Sequence, residues 1–213
     1  MSGDDLEALS ELQDPVRRSL YDLVARSRRA VGRAEAAEAA GISRTLAAFH
    51  LDKLVDAGLL ESGFRAPAKK GPGSGRPAKV YSRARVERSF SLPPRDYPAM
   101  ATLLADVVDL LGGDEQAEKA ARKAGERLGR ELNGTVVQEL AARGYEPYEE
   151  GDRIRLRNCP FHALAERHPL LVCSMNLALC QGLLEGAGHD PAEAELDPRP
   201  DECCVTLSKN NDH

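Results

Sequence analysis

With 213 residues, the chain is long enough for one small module plus a further domain. Apolar residues make up 42% but aromatics only 4%, with no Trp, so the core has to be built from Leu, Val and Ala, which suits helices. No uninterrupted apolar run approaches the ~18 residues of a bilayer span, which excludes a membrane partner. The net charge of −5 argues against nucleic acid until it is divided along the chain: residues 1–90 hold 16 basic and 12 acidic residues, and the remainder 13 and 22. A basic front joined to an acidic back predicts a DNA-facing domain attached to one that does not face DNA. The opening residues Met1, Ser2, Gly3, Asp4 and Asp5 lack the basic and apolar regions of a secretory signal. The expected location is the cytoplasm, where thiols are mostly reduced.

Asp14 and Pro15 open the first strong helix, Asp14 capping free N–H groups and Pro15 fitting the first helical position. Val16, Leu20, Leu23 and Val24 then recur at helical spacing. A second short helix over about residues 34–40 stops at Gly41, which can adopt positive φ. Ser43 caps a third helix with Leu46, His50, Leu54 and Val55 on one face, ended by Gly58. Residues 59–62 begin a strand, and residues 78–81 form its partner. The Gly/Pro-rich stretch 68–77 between them is a loop. Residues 89–95 form a linker.

Met100, Leu103, Leu104, Val107, Val108 and Leu111 mark a helix with a wide apolar stripe. Asp114 caps another running to about Leu132. A third spans about residues 135–143 and stops at Gly144. Two strands, 146–149 and 153–156, are joined by Glu150, Gly151 and Asp152. Then come a Cys-Pro turn, a helix around His162, a longer helix over about residues 169–184, and late strands near 192–196 and 204–207. There is no internal repeat.

Two helices joined through Ala40, Gly41, Ile42 and Ser43 fit a helix-turn-helix: Gly41 makes the sharp turn and Ile42 plugs the gap. The third helix is then the recognition helix, whose N-terminal residues meet the major groove. Ser43, Arg44, Thr45 and Ala48 lie off its apolar stripe and are free to meet DNA. Arg44 either pairs with guanine or holds a phosphate. The loop that follows reads as a wing, with Lys69, Lys70, Arg76 and Lys79 around its tip; residues 61–90 hold eight basic and two acidic residues. Such a tip suits phosphate or minor-groove contact, although alone it is equally a solvated basic hairpin. His50 reads as a packed histidine bonded to a neighbouring backbone or carboxylate group rather than as a metal or pH-sensing site.

The run LAAFHLDKLVDAGLL over residues 46–60, followed by GSGRPAKVY over residues 73–81, resembles the ArsR/DeoR-like winged-helix regulators of bacteria. The resemblance covers roughly residues 14–82. It implies homodimers on inverted-repeat operators in double-stranded DNA, and repression that an effector relieves.

All five cysteines lie in the last third: Cys159, Cys173, Cys180, Cys203 and Cys204. An odd count argues against a disulfide scaffold. Thiolates are soft ligands for zinc, copper(I) or iron–sulfur clusters. The absence of a CxxC pair weighs against a zinc ribbon. NCPFHALA over residues 158–165, HPLLVC over residues 168–173 and the late Cys203–Cys204 pair resemble the C-terminal half of SufR-type repressors, which sense iron–sulfur status and control cluster-assembly genes. That resemblance covers about residues 145–208. It implies an iron–sulfur cluster of the 4Fe–4S type, with Cys159, Cys173 and one of Cys203 or Cys204 as ligands. The double cysteine and Cys180 depart from the pattern. Cys180, among Leu177, Ala178, Leu179 and Leu183, reads as core. A zinc site from Cys159, His162, His168 and Cys173 is an alternative, with solvated histidines as its plain counterpart. A cofactor-free thiol switch is another.

A winged-helix regulator needs a dimer to span two half-sites. The stripe from Met100 to Leu111 is the first candidate interface, and the helix after it, with Ala117, Ala121, Ala124 and Leu128, is the second, because small residues allow close approach. No phosphate loop, nucleophile elbow or metal-ligand helix pair points to an enzyme. The expected class is α+β: a winged helix-turn-helix over 1–90, a linker and dimerisation helices over 91–143, and a small cysteine-containing α+β sensor domain over 144–213.

Overall fold

The computed structural model describes residues 3–27, 29–66, 77–85, 91, 93 and 95–209. The fold is mixed α+β, with a helix-turn-helix region near the N-terminus and a sheet-and-helix region at the C-terminal end. The chain divides into two compact units, Met1–Arg95 and Asp96–His213.

In the first unit, helices α1 (Gly3–Glu11) and α2 (Pro15–Arg26) precede strand β1 (Val31–Gly32). Helices α3 (Arg33–Ala39) and α4 (Arg44–Asp56) follow, then strands β2 (Leu60–Arg65) and β3 (Ala78–Arg83). The Asp14 side chain accepts hydrogen bonds from the Val16 and Arg17 amides, each at 2.9 Å, capping α2 as its sequence predicts. The Ser43 hydroxyl accepts from the Leu46 amide at 3.2 Å and caps α4. Gly41 and Gly58 both take positive φ, 63° and 65°, so the chain turns after α3 and α4 where glycine alone is unstrained. The strands form an antiparallel sheet in the order β1-β3-β2, with Tyr81 opposite both Val31 and Ser62. Leu20, Val24, Val31, Ala36, Leu51, Leu54, Leu60 and Tyr81 make the core, with Ile42 packed at its edge.

Three features differ from the sequence expectation. Helix α1 was not expected from the polar opening, but Ala8 is buried and α1 packs on α4. Strand β1, at two residues, is too short to carry an alternating pattern. The inner face of α4 consists of Ala47, His50, Leu51 and Leu54. Spaced i, i+3, i+4 and i+7, they form one continuous stripe, which leaves Leu46 exposed and Val55 half-buried.

The second unit begins with α5 (Tyr97–Leu111), α6 (Asp114–Arg130) and α7 (Val136–Ala142). The Thr135 and Gln138 side chains form a reciprocal capping box on α7. Asp114 lies inside the first turn of α6 rather than capping it; Gly113 holds the cap position without a side-chain bond. The hairpin β4 (Pro147–Glu150) and β5 (Arg153–Leu156) leads to α8 (His162–Ala165) and α9 (Pro169–Gly186), then β6 (Ala194–Leu196) and β7 (Val205–Ser208). The four strands form an antiparallel sheet in the order β4-β5-β7-β6.

Helix α9 is long and apolar enough to cross a membrane by length and composition, contrary to the expectation from uninterrupted apolar runs. Its burial marks it instead as the central core helix of this unit: Leu171, Val172, Asn176, Ala178, Cys180, Gly182, Leu183 and Leu184 are all buried. It packs along α6 through glycine on both sides. A methyl group on Gly125 would stand 2.1 Å from the Leu179 carbonyl oxygen, and one on Gly182 would stand 2.1 Å from that of Arg122. Gly129 and Gly186 repeat the arrangement one turn on. Small residues four apart let two backbones come together. The close approach expected of α6 is therefore made through Gly125 and Gly129, and its partner is α9 of the same chain.

Adding a methyl group at this seam forces backbone against backbone. Gly125→Ala is expected to destabilise the second unit by about 3 kcal/mol, the upper range for overpacking. Gly63→Ala in β2, where nothing lies within 4 Å, should change stability by less than about 0.5 kcal/mol. Urea unfolding followed by circular dichroism compares the two.

Candidate nucleic-acid interface and thiol cluster

Helix α4 presents two sides. Ser43, Arg44 and Thr45 are exposed and Ala48 is half-buried, all off the inner face. Phe49, which the sequence pattern did not single out, is 55% exposed on the same outward side, one turn after Thr45. Its ring meets the edge of the His50 ring at 5.4 Å between centroids. His50 itself is buried. It is packed as expected, but its Nδ1 finds no hydrogen-bond partner among the described residues, contrary to the expected backbone or carboxylate bond.

One acidic side chain fastens α4 to its surroundings. The Asp52 carboxylate accepts hydrogen bonds from Tyr81 Oη at 2.6 Å, Lys79 Nζ at 2.8 Å and the Arg33 guanidinium at 3.2 Å. Arg33 Nε also donates to Tyr81 Oη at 2.9 Å. The first residue of α3, the middle of α4 and strand β3 thus meet at one carboxylate. Burial pushes Asp52 up, but the hydrogen bonds from Lys79 and Tyr81 and the nearby cations outweigh it and hold the carboxyl below its ordinary range. Burial, with the hydrogen bond to Asp52, pushes the Tyr81 phenol up to about 12. Lys79, expected to meet DNA, is therefore engaged within the protein at the loop end of the hairpin. Lys69, Lys70 and Arg76, the other expected wing contacts, lie outside the described residues.

The cysteines sit at one end of the second sheet. The Cys203 amide donates to the Leu156 carbonyl at 2.9 Å, and the Asn158 amide to the Tyr145 carbonyl at 3.0 Å. These bonds bring the late segment beside the turn that carries Cys159, so that Cys159 packs against the core that contains Cys203, near enough for the two thiols to shift each other's ionisation. Asn176 Nδ2 donates to Cys203 Sγ at 3.2 Å, while Tyr145 Oη donates to Asn176 Oδ1 at 2.6 Å. Cys180 is buried, as expected of a core residue, with its Sγ 4.0 Å from Asn176 Oδ1. Cys204 packs against the same core. Cys173 is half-buried near the start of α9, and its thiol has no hydrogen-bond partner among the described residues. The structure thus joins Cys159, Cys203 and Cys204, and leaves Cys173 one turn before Asn176 on α9.

The environment keeps these groups as thiols. The neighbouring Cys203 thiol, together with burial, raises Cys159 far above its ordinary range, and burial does the same to Cys180. The Cys159 thiol pulls Cys203 down, but Cys204 and burial push it up to about 11. Among the described residues no three His, Cys, Asp or Glu side chains are grouped as metal ligands. His162 is exposed, 3.4 Å from Glu166. His168 is not the solvated histidine expected: it is largely buried and faces two carboxylates of α5, Asp109 at 2.7 Å and Asp106 at 3.4 Å.

A second set of residues missed by sequence reasoning positions the late cysteines. Arg155 on β5 is only 1% exposed. Its guanidinium pairs with Asp197 at 2.5 Å and Glu202 at 3.0 Å, and donates to the Asp197 carbonyl at 2.9 Å. Glu202 also accepts from Tyr148 Oη at 2.6 Å. The segment leading into Cys203 is thereby tied to the sheet at both ends, since Asp197 N also donates to the Cys204 carbonyl at 2.8 Å. Neither Arg155, which alternates with apolar residues along β5, nor Asn176 within α9 declares its distant partners in the sequence, although buried polar groups demand them.

The helix-turn-helix domain family matches residues 12–63 of the chain. No curated protein matches it. The first unit therefore carries the DNA-binding domain of a helix-turn-helix transcription regulator. The match spans α2 through most of β2, so it includes α4 and Asp52.

The Tyr81 bond has a defined pH window. The folded-state value lies above the ordinary one, so its stabilisation is complete below about pH 10 and is lost as pH rises to about 12. Tyr81→Phe is expected to cost about 1 kcal/mol near neutral pH, and the gap from the parent should close across that window. Urea titrations at a series of alkaline pH values measure it; a constant gap would show that Tyr81 ionises without effect on the fold.

Proposed function

We propose that the chain is a homodimeric transcriptional repressor whose operator affinity is governed by an iron–sulfur cluster on Cys159, Cys173 and one of Cys203 or Cys204. The observation that carries this reading is the convergence of the Cys159 and Cys203 thiols in the unit that follows a DNA-binding domain. The donor chemistry fits: thiols are the soft ligands that such clusters take. Cys173 shares a helix face with Asn176, three residues on, and the Asn176 amide reaches Cys203. When bound, the cluster supplies an oxygen- and redox-sensitive link between the Cys159 turn, α9 and the last strand. Asn176 orients the Cys203 thiol, and Arg155 holds the segment before it.

Helix α5 supports the dimer. Tyr97, Met100, Leu103, Leu104, Leu110 and Leu111 are exposed along it, Leu110 at 83%. An apolar stripe of this size is unfavourable in water. A two-fold partner would cover it and supply the second DNA-binding domain that inverted half-sites require. The α5 carboxylates that grip His168 connect this helix to the start of α9, in whose first turns Cys173 stands.

A second reading rests on the proximity of Cys159 and Cys203 alone. Two thiols in contact can form a disulfide, releasing two protons and two electrons to an oxidant such as a peroxide, without a metal. Protein prepared without oxygen separates the two. The cluster reading predicts iron, acid-labile sulfide and visible absorbance in the parent, lost in Cys159→Ser and Cys173→Ser and kept in Cys180→Ser. Both ligand variants should also change affinity for duplexes enriched from random DNA. Separate Cys203→Ser and Cys204→Ser chains identify the late ligand. Full iron and sulfide in Cys159→Ser would remove it from the ligand set, and a metal-free parent would leave the thiol-pair reading.

A further inference from the structure

The outward side of α4 is short of hydrogen-bonding groups where a recognition helix needs them. Ala47, His50, Leu51 and Leu54 point inward. At 3.6 residues per turn, Thr45 and Phe49 stand opposite them, Ala48 lies beside, and Arg44 falls at the margin. Asp52, the next outward position, is bound to Lys79, Tyr81 and Arg33 and has no free role as an acceptor for a cytosine amine. The first two turns therefore carry no side-chain amide and no free carboxylate on this side. At their centre they present the 55% exposed ring of Phe49, steadied by its edge contact with the buried His50 ring.

Burying a phenylalanine is favourable, and this one is left in water on the outward side of α4. In the major groove the apolar group available to it is the 5-methyl of thymine. We propose that Phe49 is a specificity-determining residue that reads a thymine methyl in each half-site, with Thr45 and Ala48 completing an apolar contact surface and Arg44 serving at its edge. The proposal rests on α4 being the recognition helix and is independent of any metal.

The test uses the full chain and random double-stranded DNA. The parent should enrich duplexes with a thymine at one fixed position per half-site. Replacing that thymine by deoxyuracil removes only the methyl group and should weaken parent binding about fourfold, the equivalent of one buried methyl. Phe49→Ala should select other positions of the site normally, lose the thymine, and bind the thymine and deoxyuracil duplexes equally. Phe49→Leu, which keeps an apolar contact, should retain the preference. Circular dichroism confirms that each variant is folded. Equal sensitivity to deoxyuracil in the parent and Phe49→Ala would overturn the proposal, because another residue would then read the methyl. A parent site with no fixed thymine, or Phe49→Ala weakening self-association instead of base preference, would overturn it as well. Failure of the parent to enrich any sequence would remove the recognition-helix reading, and the proposal with it.

Discussion

The carboxylate of Asp52 sets the geometry of the DNA-binding unit. It is an acidic group in a basic domain, and it receives a phenol, an ammonium and a guanidinium from three different elements. The magnitudes indicate what it is for. Its side chain is 41% exposed, and exposed ion pairs contribute about 0–1 kcal/mol, so the cluster adds little to stability. Its effect is directional. A helix lying on an apolar core can slide or roll at small cost, whereas three bonds from different directions fix its rotation against α3 and β3. That rotation decides which residues of α4 look outward.

In the second unit, close backbone contact adds to an apolar core that includes Val136, Leu140, Leu156, Leu184 and Leu207. Four glycines let α6 and α9 touch backbone to backbone, and this fixes α9. Asn176, inside α9, then reaches Cys203, while Arg155 on β5 holds the segment that carries it. Leaving the buried Arg155 guanidinium without its carboxylates would strand a charge away from water. The Arg155 pairs therefore resist local opening of the late segment. The thiol pair is thus positioned by a packed helix and a clamped loop.

Local chemistry was legible in the sequence. Asp14, Ser43 and Thr135 act as caps because the hydroxyl or carboxylate sits next to the amides it serves. Gly41 and Gly58 mark their turns for the same local reason. The helix-turn-helix, the hairpin strands and the α+β character of the C-terminal region followed from such signs. What depended on partners distant in sequence was not legible. The α4 stripe was read one residue off because Leu46 is as apolar as Leu51, and only the core distinguishes them. Asp52 looked like a solvent-facing charge until β3 folded over it. Arg155, Asn176 and Tyr145 showed no purpose in sequence because their partners lie 27 to 47 residues away. The cysteines were recognised as a group by type, but spacing could not reveal that Cys159 meets Cys203 while Cys173 stands apart.

DNA affinity in Asp52→Asn tests, with opposite signs, whether Asp52 orients α4 for DNA. Charge alone predicts tighter binding, since the variant removes a negative group and releases Lys79 toward phosphate. Orientation predicts weaker binding, because the amide cannot hold both cations and the helix loses its fixed rotation. Fluorescence anisotropy on a duplex enriched by the parent, at matched salt, is expected to show a loss of about tenfold, equivalent to about 1.4 kcal/mol. Unchanged or tighter binding by Asp52→Asn would contradict the account.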